Sequence, residues 1–163
     1  MEENEPRVLI VDDKEHNIRY LESLLSKQGY DIVVAHNGKE GLEQAAQAKP
    51  ELIVLDVLMP DMDGFAVTRA LRSRPETRAV PILMVTALND VNAKLKGFEV
   101  GADDFLSRPF NGVELLARVK SLLRIERLNR ELREKSALLE HVLARYVPEE
   151  VVREILNDPG GNH

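Results

Sequence analysis

Residues 52–64 read Leu52-Ile53-Val54-Leu55-Asp56-Val57-Leu58-Met59-Pro60-Asp61-Met62-Asp63-Gly64. Residues 52–55 lack polar alternation, the pattern of a strand buried on both faces of a parallel sheet. Pro60 and Gly64 punctuate the stretch after it, which puts Asp56 at the carboxyl end of that strand, where open α/β sheets bind ligands. A carboxylate there serves as a nucleophile or a metal ligand. A single acidic residue is equally a turn or helix cap, so its company decides between these roles.

Working outward, Arg7-Val8-Leu9-Ile10-Val11 is a second buried run, and it too ends in carboxylates, Asp12 and Asp13. Ile18, Leu21, Leu24 and Leu25 repeat at helical spacing until Gly29, and Asp31-Ile32-Val33-Val34-Ala35 returns to a strand. Asn37-Gly38 opens a helix with Leu42, Ala45 and Ala46 facing inward, closed by Lys49-Pro50. After Gly64, Phe65, Val67, Ala70 and Leu71 line a helix; Pro81–Val85 is a fourth strand running into Thr86. A helix from about Asp90 stops at Gly101, and Asp104–Ser107 is a short, more polar strand suited to a sheet edge. Arg108-Pro109-Phe110 leads to a helix beginning near Asn111, with Val113, Leu116 and Val119 inward. Strands and helices in alternation predict an α/β fold, a doubly wound five-stranded parallel sheet with helices on both faces.

At 163 residues the chain accommodates one ordinary domain and an appendage. Cysteine is absent, which excludes disulfides, thiolate metal sites and cysteine nucleophiles. No apolar stretch reaches membrane-spanning length and residues 1–6 are acidic and read as disordered, so a cytoplasmic protein without a membrane partner is expected. The formal net charge of −6 argues against direct nucleic-acid binding, which needs a basic surface.

Residues 7–123 form the predicted domain. Beyond it Ile125, Leu128, Leu132, Leu139, Val142 and Tyr146 recur at three- and four-residue spacing, with Lys135 in one seam position. No Gly or Pro lies between Val113 and Val147, so the fifth helix is expected to run on as one long rod. Residues 124–147 then read as a coiled-coil homodimerisation helix, with a solvated helix folded back on its own domain as the plainer alternative. Residues 148–163 read as a short helix and a flexible tail leading to a missing output domain.

In a doubly wound sheet the ends of strands one, three, four and five meet at one cleft. Asp12, Asp13, Asp56, Thr86 and Arg108 lie at those ends. Converging carboxylates repel unless a cation holds them, and Mg2+ suits a site of few carboxylates and several waters. A hydroxyl from Thr86 and the charge of Arg108 complete a pocket fit for phosphoryl oxygens. His16, His36 and His141 show no zinc spacing and read as surface residues.

On these motifs, together with Met59-Pro60, Asp63-Gly64, Thr86-Ala87 and Gly101-Ala102-Asp103-Asp104-Phe105, residues 7–123 resemble the receiver domain of bacterial response regulators. The resemblance implies a flavodoxin-like receiver in a two-component system. Asp56 would then accept a phosphoryl group from the phosphohistidine of a sensor histidine kinase. It further implies Mg2+ held by Asp13, Asp56 and the backbone carbonyl of Leu58, with Asp12 acting largely through water. Thr86 would donate to a phosphoryl oxygen and act as the switch with Phe105. The family has lysine where this chain has Arg108, and a planar fork in place of a compact ammonium puts the normal shift of Thr86 in question. Leu58 and Leu88 occupy the positions that line the approach of hydrolytic water in the family, and imply slow self-dephosphorylation. A haloacid-dehalogenase-type phosphatase would need a second aspartate where Leu58 stands.

Residues 144–156 resemble the lead-in to class III adenylate or guanylate cyclases, which implies a nucleotidyl cyclase output beyond His163 and no cyclase activity in this chain. Other dimeric outputs, such as a diguanylate cyclase or a kinase, and a stand-alone protein-binding regulator stay open.

Overall fold

The computed structural model describes residues 5–146 and 148–157. The expected disorder of residues 1–4 and the tail from 158 lie outside the described residues. The described residues form eleven elements: β1 (Arg7–Val11), α1 (Glu15–Ser26), β2 (Asp31–Ala35), α2 (Gly38–Ala48), β3 (Leu52–Leu55), α3 (Gly64–Ser73), β4 (Ile82–Thr86), α4 (Val91–Val100), β5 (Asp104–Ser107), α5 (Gly112–Tyr146) and α6 (Glu149–Asn157). The strands form one parallel sheet in the order β2-β1-β3-β4-β5. This is the doubly wound, flavodoxin-like arrangement expected from the apolar runs, with its topological switch point between β1 and β3.

Strand periodicity sorts the core into two layers. Leu9, Val11, Ile53, Leu55, Ile82, Met84 and Phe105 point to one face and pack with Leu42, Ala45, Phe65, Val67 and Leu71 of α2 and α3. The alternate residues Val8, Ile10, Leu52, Val54, Leu83, Val85 and Leu106 meet Ile18, Leu21 and Leu25 of α1 and Leu115, Val119, Leu122 and Leu123 of α5. The runs at β1, β3 and β4 lack polar alternation because both faces of each strand are covered. β2 and β5 stand at the two edges, which is why Asp31, Asp104 and Ser107 are tolerated there.

Two sequence readings of helix faces are corrected. Val113, expected to face inward, is 75% exposed, and Leu115 is buried in its place. Ala46 of α2 is exposed while Gly41 and Ala45 are buried. In both helices periodicity supplied the spacing, but the phase was set by which stripe meets the sheet.

Local chemistry sets the helix ends. Asn37, Asp63 and Asp90 each accept the N–H three residues on and cap α2, α3 and α4. Gly101, at φ 117°, ends α4 in the left-handed conformation that glycine adopts without strain. Its carbonyl accepts from Arg72 Nε and Nη2, and the same guanidinium reaches the Val80 carbonyl and Asp103. One arginine thus ties the end of α3 to the end of α4 and to the entry of β5.

The chain divides into two units, Met1–Glu126 and Arg127–His163, and α5 runs through that division. No helix among the described residues is long and apolar enough to cross a membrane.

Candidate functional site

Parallel pairing of β1 with β3 sets Val11 opposite Leu55, so the next residues, Asp12 and Asp56, emerge side by side. Pairing of β4 with β5 sets Thr86 opposite Ser107 and brings Arg108 to the same end. Oxygens of Asp12, Asp13 and Asp56 all lie within 4.8 Å of one another. Asp12 and Asp56 are nearly sealed from solvent, at 1% and 4% exposed.

Each carboxylate is held differently. Asp12 Oδ1 accepts from the Lys14 N–H at 2.9 Å and the Asn17 amide at 3.4 Å. Its Oδ2 accepts from Arg108 Nη2 at 3.2 Å. Asp56 Oδ1 accepts from the Leu58 N–H at 3.3 Å and lies 3.8 Å from Arg108 Nη1. Asp13 Oδ1 is buried with no hydrogen-bond partner among the described residues. A buried carboxylate oxygen left open beside two more carboxylates fits a hard, oxygen-preferring cation such as Mg2+.

Burial, and then the charge of Asp12, hold the Asp56 carboxyl above the usual carboxylate range. Arg108, the Leu58 N–H and the Thr86 hydroxyl pull the other way without prevailing. Folded Asp56 therefore binds a proton more readily than the unfolded chain. Its ionisation subtracts stability as pH rises from the ordinary 3.8 through the raised folded value. Asp56→Asn should accordingly raise the metal-free Tm at neutral pH, because the amide removes a charge that burial and Asp12 disfavour in the folded pocket. The gain should vanish below the ordinary carboxylate range, and equal melts at neutral pH would contradict the assignment.

The family profile for the response regulator receiver domain matches residues 8–120. This chain belongs to the response regulator receiver family. The chain is 44% identical over 131 residues to response regulator PleD of Caulobacter vibrioides, covering 80% of this chain and 29% of that protein. It is also 44% identical over 119 residues to RpaA of Synechocystis, a DNA-binding dual master transcriptional regulator, covering 73% and 49%. The chain thus spans less than half the length of either curated relative. A crystal structure of a response regulator from Chloroflexus aurantiacus superposes with a TM-score of 0.72 at 40% identity, covering 74% of this chain and 99% of that one.

Within the receiver, Asp12, Asp13, Asp56, Thr86 and Arg108 gather at one end of the sheet, as their strand-end positions predicted. Leu58 contributes its N–H to Asp56, and its side chain is 47% exposed. Phe105 is buried in the core layer that contains Met84, against Gly97. Sequence reasoning missed the Lys14 N–H and Asn17 as partners of Asp12, and the Val85 carbonyl as partner of Arg108. Two of these are backbone groups and leave no side-chain signal. Asn17 was detectable only as a polar residue in the first turn of α1.

Proposed function

We propose that this receiver takes a phosphoryl group from the phosphohistidine of a sensor histidine kinase onto Asp56. The observation that supports this most strongly is Asp56 at the end of β3, buried among Asp12, Asp13, Thr86 and Arg108 with an open Asp13 oxygen beside it. An Asp56 oxygen attacks phosphorus, the P–N bond breaks, and the imidazole leaves with the electron pair and takes up a proton. The product is an acyl phosphate. Such transfer asks for positioning and charge stabilisation more than covalent chemistry. Arg108 and the Thr86 hydroxyl hold phosphoryl oxygens, and the Leu58 N–H orients the nucleophile. Asp13, Asp56 and the Leu58 carbonyl, with Asp12 through water, would hold Mg2+, which when bound would neutralise charge developing on the transferred group. Thr86 moving toward the phosphoryl group, with Phe105 moving in concert, is the switch. Leu58 and Leu88 offer no group to orient water, which makes the acyl phosphate long-lived.

The proposed route onward is the C-terminal helix. Ile125, Leu128, Leu132, Leu139, Val142 and Tyr146 are all exposed along α5, a stripe that a second copy would cover as a coiled coil. Its output, on the resemblance of residues 144–156, is a nucleotidyl cyclase.

The test is intact-mass spectrometry with a small phosphodonor and Mg2+, then light scattering of the same sample. One phosphoryl group should add to the wild type, persist well beyond seconds, and be absent from Asp56→Asn. Gain that survives Asp56→Asn would refute the acceptor assignment. A strict monomer in both states would remove the helical pair.

A further inference from the structure

Arg108 differs from the other site residues because its partners are already engaged. Nη1 donates to the Val85 carbonyl at 2.9 Å and Nη2 to Asp12 Oδ2 at 3.2 Å, while Asp56 Oδ1 is farther off at 3.8 Å. With Lys14 and Asn17 on its other oxygen, Asp12 has three protein donors. Asp13 Oδ1 has none. One carboxylate is therefore committed to the guanidinium, one lies near it, and one is open. Three carboxylates against one guanidinium leave two negative charges uncompensated, the charge of one divalent cation.

We propose that Arg108 is a resident counter-ion, held on Asp12 and on the β4 backbone, which opposes a divalent cation entering the pocket and so sets the concentration at which the site fills. This rests on the reading of Asp12, Asp13 and Asp56 as a cation site. Arginine suits the role because its planar fork places two nitrogens on a carbonyl and a carboxylate at once, where an ammonium concentrates its charge at a point. Anchored on Val85, the guanidinium keeps its charge beside Asp12 and Asp56 whether or not the cation is present. At 18% exposed it is also poorly screened by solvent.

The experiment is calorimetric titration of the 163-residue chain with Mg2+, beside metal-free thermal melts, for wild type, Arg108→Gln and Arg108→Lys. Arg108→Gln should bind Mg2+ at least about tenfold tighter, because a unit positive charge no longer opposes the ion. Its metal-free Tm should fall, because Asp12 is left buried without its partner. Arg108→Lys, which keeps the charge, should lie between. Equal or weaker Mg2+ binding by Arg108→Gln overturns the counter-ion role and leaves the cation site standing. No Mg2+ binding by any of the proteins removes the cation site itself.

Discussion

Asp13→Asn is expected to slow phosphoryl uptake from a small donor at least about a hundredfold, because a cation's charge stabilisation in such transfer is worth several kcal/mol. It is also expected to leave the metal-free fold at least as stable as wild type. The two halves of this expectation come from the same feature. Asp12 has three protein donors, and Asp56 has the Leu58 N–H and a neighbouring guanidinium. Asp13 Oδ1 is buried and has no hydrogen-bond partner among the described residues, so its carboxylate contributes repulsion to the metal-free pocket. The amide removes a charge whose buried oxygen has no hydrogen-bond partner among the described residues, and takes away a ligand the cation needs. Rates by intact mass and melts without metal check both halves. Uptake within about threefold of wild type would show that Asp13 is not a ligand, since losing a direct ligand costs more than losing a supporting contact, which typically costs 10–100-fold.

Gly64→Ala should be the most destabilising small substitution near the site. A Cβ at Gly64 would lie 2.5 Å from the Asp56 carbonyl oxygen and 2.7 Å from the Val57 Cα. Both are backbone atoms, and the Gly64 N–H already donates to the Val57 carbonyl at 2.9 Å, so no side chain can step aside. Either α3 lifts away or the strand end carrying Asp56 shifts. Overpacking typically costs about 1–3 kcal/mol, and backbone neighbours place this case at about 3 or above. In a chain of this length that lowers Tm by roughly 6–12 °C. Phosphoryl uptake should fall with it, since small misplacements at a reacting centre are amplified in rate. A Tm within about 2 °C of wild type would show that the first turn of α3 yields freely.

The reach and the limit of the sequence are clearest where they meet, in α5. Absence of Gly and Pro after Val113 foretold a long helix, and the helix runs to Tyr146. The same stretch misled on phase: Val113 faces solvent and Leu115 the sheet. Apolar residues are dense on several stripes of its first turns, and only docking on β1, β3 and β4 selects one. The site divides in a similar way. Asp12, Asp13, Asp56, Thr86 and Arg108 were legible because each ends a strand run or lies within two residues of its end, a local signal. Gly64 read as a turn residue, and its close approach to Asp56 could not be read, because it depends on where α3 sits.

By itself the sequence determined the succession of strands and helices, the glycine and proline stops, and the set of carboxylates at strand ends. These arise from side-chain periodicity and backbone preferences that act over a few residues. The tertiary structure alone decided that β1 lies between β2 and β3, which makes Asp12 and Asp56 neighbours although 44 residues separate them. It alone decided that Arg108 takes Asp12 and the Val85 carbonyl ahead of Asp56, and that Asp13 keeps an open oxygen. Partner choice among buried charges is settled by distances of an ångström or less and by competition for the same donors, and neither is encoded in the order of residues along the chain.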